Sequence, residues 1–223
     1  MRLAALISGG KDSMLALHKA VREHEIVCLV GAIPENPYSL MFHTYNLHLI
    51  DVISYSLQLP IFKIPTAGME EQEVEDLQKH LGVLDVDGIV TGAIESEYQR
   101  SRFDRMCRNL GLELVAPLWH EDVDGLMKEI VENYSVMIVS VSAMGLDESW
   151  LGKKIDEQLL TKLQTLNKKY GVHIAGEGGE YETLVLDAPL FRERIVIKGS
   201  YKEWKGDAGY LEITDFRLEE KKK

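Results

Sequence analysis

Cysteine is scarce in this chain: Cys28 and Cys107 are the only two among 223 residues. They form no CxxC and no disulfide framework, which excludes a cysteine-stapled secreted scaffold. Both are expected to be buried thiols in a reducing cytoplasm. Positive charge is short as well, with 25 Lys+Arg against 36 Asp+Glu and a formal charge of −11. Such an acidic chain is a poor footprint for a duplex, so no tight nucleic-acid binding is expected. No apolar run approaches the ~18 residues of a membrane span, so no membrane partner is expected. Leu3–Ile7 behind Arg2 is too short for a signal peptide. The patterns GxxxxGK[ST] and GxGxxG do not occur. There is no HExxH and no close Cys/His pairing, so zinc is not expected. What is present is an ordinary globular composition, 45% hydrophobic and 27% charged. A chain of this length buries roughly 70% of its unfolded surface.

Strand and helix patterns alternate through the first half. Leu3–Ile7 reads as a buried strand, and Met14, Leu17 and Val21 mark one helix face. Ile26–Ile33 is a second strand, 39–59 a loop leading into a helix, and Ile61–Ile64 a third strand. Glu70–Leu81 is predicted helical, Gly88–Ile94 a strand, Glu97–Leu110 a helix ended by Gly111, and Glu113–Leu118 a fifth strand. This order predicts an α/β, doubly wound, five-stranded parallel sheet over residues 1–122. Ligands of such sheets sit at the carboxyl ends of the strands. Residues 123–223 read as a smaller α+β domain. It has helices marked by Val123, Leu126, Met127 and Ile130 and by Ile155, Leu159, Leu163 and Leu166. Its strands are expected at Val136–Val141, Glu182–Leu186, Arg194–Ile197 and Tyr210–Thr214, with a frayed 219–223 tail.

Two stretches carry chemistry. Ser8-Gly9-Gly10-Lys11-Asp12-Ser13 joins the first strand to the first helix. Its glycines let backbone N–H groups approach an anion, and the helix start favours negative charge. Ser8 and Ser13 can add hydroxyls and Lys11 a point charge. Asp12 would be repelled by bare phosphate, and makes sense with Mg²⁺ between them. The alternative is a Gly-rich turn with an ordinary cap. The second stretch is Gly176 to Thr183, where Glu177, Glu180 and Glu182 stand among glycines. Glu180 and Glu182 should share one strand face, with Tyr181 and Thr183 on the other. Like charges on one face call for something cationic nearby. The alternative is a polar turn into an edge strand.

Further candidates are fainter. Arg100, Arg102, Arg105 and Arg108 lie on one helix, either as an anion clamp with Arg102 and Arg105 foremost, or as a solvated basic face. His43 follows the second strand, placed to meet adenine or ribose, or else is a loop histidine; Asn46 stands beside it.

SGGKDS resembles the PP-loop of the ATP pyrophosphatase superfamily, whose fold is adenine nucleotide alpha hydrolase-like. The resemblance implies ATP cleaved between the α and β phosphates, Mg²⁺, and Lys11 and Asp12 in catalytic roles. Glu177–Thr183, EGGEYET, resembles the signature of the diphthine–ammonia ligase family at every position. Thr91-Gly92-Ala93-Ile94, Tyr98-Gln99-Arg100 and Pro117-Leu118-Trp119 extend the likeness over nearly the whole chain. The resemblance places Gly92 at the nucleotide. It implies an amide ligase that adenylates the carboxylate of diphthine, a modified histidine on elongation factor 2, and amidates it with ammonia to give diphthamide. Glu177, Gly178, Gly179, Glu180, Tyr181, Glu182 and Thr183 would then meet the substrate, whose trimethylammonium group suits carboxylates and an aromatic face. Relatives with added C-terminal domains are eukaryotic, and the short form resembles the archaeal type. The chain begins Met1-Arg2, without a cysteine nucleophile after Met1, so ammonia is expected free or from another protein. A homo-oligomer stays open. The rivals are a PP-loop enzyme of tRNA modification and a non-catalytic ATP-binding regulatory module.

Overall fold

The apolar run at the N-terminus forms β1 (Arg2–Leu6), and Leu3, Ala4 and Ala5 are all buried. Burial on both faces belongs to the middle of a parallel sheet. A computed structural model describes residues 1–36 and 45–221, with the side chains of residues 70 and 71 left aside. In it the chain divides into two compact units, Met1–Trp119 and His120–Lys223.

In the first unit β1 is followed by α1 (Lys11–Ala20), β2 (Glu25–Pro34), α2 (Ile50–Leu57), β3 (Ile61–Thr66) and α3 (Glu70–Leu81). Then come β4 (Gly88–Val90), α4 (Glu97–Leu110) and β5 (Glu113–Val115). All five strands are parallel in the order β3-β2-β1-β4-β5. Ala4, Leu6, Cys28, Val30 and Ile64 share one face and pack with Val74, Leu77 and Leu81 of α3 and Phe103, Met106 and Cys107 of α4. Gly31, on the other face, meets the Ile50 side chain of α2. The winding thus reverses between β1 and β4, and the crevice at their carboxyl ends is the place where such sheets bind ligands. The α/β doubly wound expectation holds.

The second unit contains α5 (Val123–Asn133), β6 (Ser135–Val141), α6 (Glu157–Tyr170), β7 (Tyr181–Asp187), β8 (Glu193–Lys205) and β9 (Ala208–Glu220). Its sheet has the order β7-β6-β9-β8, with antiparallel pairing throughout. The α+β expectation holds here too.

Several local expectations need correction. Helix α1 stops at Ala20, so Val21 caps it and is 38% exposed rather than core. The strand expected at Gly88–Ile94 ends at Val90, and the one expected at Glu113–Leu118 ends at Val115. Ile155 precedes α6, whose cap is Asp156 accepting from the Leu159 N–H at 2.8 Å. The last two strands are 13 residues each, far beyond the apolar cores that mark them in the sequence. A two-stranded ribbon satisfies its backbone by pairing and needs no apolar run along its whole length. Residues Glu219 and Glu220 belong to β9, and Glu219 accepts from Arg194 Nη2 at 2.6 Å. Lys221 Nζ lies 2.9 Å from Asp187 Oδ1, so the tail is tied down to that point.

Both thiols are buried in the core of the first unit. Burial pushes Cys107 up to about 12 from an ordinary 9.0, with Asp104 and Glu113 adding to it, and burial raises Cys28 as well. Neither should react with a thiol reagent at neutral pH until the protein unfolds. Because the folded state holds the Cys107 proton longer, its contribution to stability is complete below about pH 9 and is lost as the pH climbs towards 12. Thiol titration with and without urea, and a Cys107→Ala comparison of urea midpoints across that range, check both statements.

Candidate functional site

The loop after β1 sits at the winding reversal. Gly9 turns the chain with φ +84°, and Gly10 enters α1 in an extended conformation. The serines close the loop on itself. The Gly10 N–H donates to Ser8 Oγ at 3.3 Å, the Ser13 hydroxyl to the Gly10 carbonyl at 3.0 Å, and the Ser8 N–H to Ser13 Oγ at 3.4 Å. The Ser13 proton, expected to serve an anion, thus goes to the loop itself. Gly10 offers no side-chain cap to the first N–H groups of α1, which leaves that helix end suited to an anion.

Lys11 is 2% exposed, and its Nζ donates to Asp12 Oδ2 at 2.8 Å. Asp12 Oδ1 is buried and has no hydrogen-bond partner among the described residues. An ionised oxygen left so is costly. Hard carboxylate oxygen is what Mg²⁺ prefers, and Mg²⁺ is commonly held by one or two carboxylates plus phosphate oxygens. The donor set therefore fits Mg²⁺. Among the described residues no group of three or more His, Cys, Asp or Glu could hold a metal by itself.

Gly92, on the segment leaving β4, lies against the start of α1. A Cβ there would stand 2.6 Å from Asp12 C and Ser13 N and 2.8 Å from Asp12 O. The segment also keeps a ladder bond, from the Thr91 N–H to the Val115 carbonyl at 3.0 Å. Gly92 thus lets two backbones touch at the Ser8–Ser13 loop.

The α4 arginines have different surroundings. Phe103, Met106 and Cys107 take the core side, while Arg105 and Arg108 are exposed. Arg108 pairs with Asp104 at 2.8 Å. Arg100 lies over the Trp119 ring at 5.0 Å. Arg102 is half-buried, stacks over the Tyr98 ring at 3.5 Å and donates from Nη1 to the Tyr98 carbonyl at 3.2 Å. Its Nε is buried without a partner among the described residues. Ser101, Arg102, Arg105 and Arg108 line a cleft of about 280 Å³. His43 lies outside the described residues. Asn46 is buried, with φ +58°.

In the second unit the chain from Val172 to Tyr181 makes a tight loop before β7. Tyr181 and Thr183 point inward and Glu180 and Glu182 are half-buried, the alternation expected from the sequence. The ring of Tyr181 is only 3% exposed, and its hydroxyl donates to the Ile174 carbonyl at 2.6 Å. A Cβ on Gly176 would come within 2.9 Å of that ring. The open aromatic face expected of Tyr181 is therefore corrected: the ring packs inside the loop. Ser142, just past β6, donates its hydroxyl to the Gly179 carbonyl at 2.7 Å and its N–H to the Glu180 carbonyl at 2.9 Å. Glu180 Oε1 accepts the His173 N–H at 2.7 Å, while Oε2 is buried without a partner among the described residues.

His173 is the residue that sequence reasoning missed. Its Nδ1 accepts N–H bonds from Ala175 at 3.1 Å and from Glu177 at 3.4 Å. Nothing in Val172-His173-Ile174 marks it, apart from its place four residues before Glu177.

Comparison with known proteins covers both units. Residues 1–114 match the diphthamide synthase N-terminal domain, and residues 122–218 the diphthamide synthase C-terminal domain. The Homo sapiens protein named diphthine–ammonia ligase is 38% identical over 251 residues, which cover 99% of this chain and 94% of that relative. The Danio rerio protein of the same name is 35% identical over 250 residues, covering 99% and 98%. The Schizosaccharomyces pombe protein of that name is 36% identical over 237 residues, covering 96% of this chain but 39% of the longer relative. The human and Danio rerio relatives are thus covered almost end to end, and the Schizosaccharomyces pombe relative only in part. A crystal structure described as a predicted subunit of tRNA methyltransferase from Methanocaldococcus jannaschii aligns with a TM-score of 0.46 and 12% identity, over 85% of this chain and 98% of that one. That likeness carries no argument.

The contact at Gly92 gives a direct test. Gly92→Ala places a methyl group against backbone, which cannot swing away as a side-chain end would. It should cost roughly 1–3 kcal/mol in urea denaturation, the usual range for overpacking. It should also abolish any rise in Tm that Mg-ATP gives the parent protein. An unchanged midpoint would show that the two segments are further apart than described.

Proposed function

The chain belongs to the diphthamide synthase family, and we propose that it is an ATP-dependent, AMP-forming ligase that amidates diphthine on elongation factor 2. The observation that carries this reading is the family match over both units, together with a phosphate loop whose Asp12 keeps a buried oxygen without a partner. ATP is the first substrate, the diphthine carboxylate the second, and ammonia the third. The carboxylate oxygen attacks the α phosphorus and pyrophosphate leaves. Ammonia then displaces AMP and loses a proton, which gives the amide.

The residues have distinct duties in that sequence. The N–H groups at the start of α1 bind and orient the phosphates, with Lys11 countering their charge. Asp12 would hold Mg²⁺, which would supply charge neutralisation at the phosphates. Arg102, stacked on Tyr98, is our first choice among the α4 arginines to bind phosphate oxygens, and Arg105 the second. Gly92 lets the β4 segment approach the loop. Glu177, Glu180 and Glu182 take the trimethylammonium group of the substrate, with Gly178 and Gly179 giving it access. Tyr181 and Thr183 shape that surface from within. Much of the rate comes from positioning and preorganised charge, with no covalent enzyme intermediate. Such an enzyme works in the cytoplasm. No helix among the described residues is long and apolar enough to cross a membrane.

The decisive measurement is AMP release from Mg-ATP and ammonium with diphthine-bearing elongation factor 2, against the same factor with unmodified histidine. AMP should form only with the modified factor, and the product should be lighter by about one mass unit. Asp12→Asn should lower kcat by roughly 10²–10³, the scale for losing one preorganised charge contact. Nucleotide binding without AMP would favour the regulatory module instead. A fully active Asp12→Asn enzyme would overturn the role given to the loop.

A further inference from the structure

Among the side chains that hold the loop before β7 is His173, which no motif contains. Both donors to His173 Nδ1 are backbone N–H groups, of Ala175 and Glu177. A backbone N–H can only donate, so Nδ1 must carry a lone pair and a neutral ring has its proton on Nε2. From the same residue, the backbone N–H donates to Glu180 Oε1 at 2.7 Å. His173 thus grips the loop at three points, with the side chain at Ala175 and Glu177 and the main chain at Glu180. Further bonds fix the frame around it. Asn167 Nδ2 on α6 donates to the Val172 carbonyl at 3.0 Å, and the Tyr181 hydroxyl donates to the Ile174 carbonyl. The result for Glu180 is a carboxylate with one oxygen fixed and the other buried without a partner among the described residues. A carboxylate in that condition is prepared for a cation, because its orientation is set before the ligand arrives.

We propose that His173 is the positioning residue of the glutamate loop: its Nδ1 fixes the Glu177 backbone and its main chain fixes Glu180, so that the carboxylates meet a cationic substrate group already ordered. This rests on the reading that the loop meets the trimethylammonium of diphthine. The acceptor at Nδ1, rather than the bulk of the ring, is what the proposal requires.

Two substitutions separate acceptor from bulk. His173→Asn puts an amide oxygen near the position of Nδ1, and His173→Leu keeps apolar volume without an acceptor. In His173→Leu, amide hydrogen exchange at Ala175 and Glu177 should quicken by at least about tenfold, the scale of one lost hydrogen bond. KM for the modified factor should rise by a similar factor, with KM for ATP unchanged. His173→Asn should restore both towards the parent values. Unchanged exchange in His173→Leu, or a rise in KM for ATP equal to that for the factor, would overturn the proposal. Exchange needs no substrate, so it reports on His173 even if the parent enzyme makes no AMP with the factor, an outcome that sinks the ligase reading alone. Should His173→Leu not fold, ¹⁵N chemical shifts of the parent imidazole decide: a proton on Nδ1 contradicts the proposal, and a bare Nδ1 with a proton on Nε2 supports it.

Discussion

The Ser8–Ser13 loop depends on a backbone-to-backbone contact. Gly92 lies so close to the Asp12–Ser13 peptide that no Cβ fits between them. The sheet order puts β1 beside β4, so the segments leaving those two strands must share the crevice at the winding reversal. Any residue larger than glycine would push the start of α1 away from the sheet. The serine bonds that close the loop, and the helix end left without a side-chain cap, both require α1 to begin where it does. A steric allowance of one missing methyl group therefore precedes all the electrostatics of the site.

Those electrostatics are confined by burial. Lys11 is almost wholly enclosed, and an enclosed ammonium needs a partner, which Asp12 Oδ2 provides. The pair is neutral as a unit, so the loop presents N–H groups and a compensated lysine rather than a dense positive charge. The two members differ in burial, at 2% side-chain exposure for Lys11 and 25% for Asp12, so the lysine bears most of the cost of enclosure. Asp12 is thereby tied to the fold through one oxygen and is available to chemistry through the other.

Local signals were legible in the sequence and long-range ones were not. Helices α3 and α4 fall on the predicted residues because their signals lie within them. The Ser96 hydroxyl accepts from the Gln99 N–H at one end of α4, and Gly111 takes the left-handed conformation at the other. The parallel sheet followed from the alternation of elements. The extent of β8 and β9 did not, because Lys198–Glu203 has no apolar pattern, and only its pairing with Tyr210–Asp215 makes it strand. The reason for Gly92 was equally hidden, since its neighbour is 80 positions earlier. At the site, Ser8–Ser13 and Glu177–Thr183 stand out by composition. The grip of His173 does not, because an imidazole that accepts backbone N–H bonds looks like any other loop histidine until the turn is seen.

The glutamate motif also changes meaning once folded. Read as a string, it offers three equal carboxylates and an aromatic ring. In the structure its members separate by task. Tyr181 and Thr183 belong to the interior, and Gly176 exists to let the Tyr181 ring lie flat against the chain. Gly178 leaves room for the Glu180 carboxylate, which a Cβ would meet at 3.1 Å. Glu177 contributes its backbone N–H to the loop, and Glu180 contributes one of its two oxygens. A cation entering here would therefore meet carboxylates whose frame is already set by main-chain bonds. Ordering that surface in advance avoids the entropy loss that a flexible acidic loop would incur on binding. A motif this rich in like charge keeps its shape because His173, Ile174 and Ser142, all outside it, hold it by hydrogen bonds.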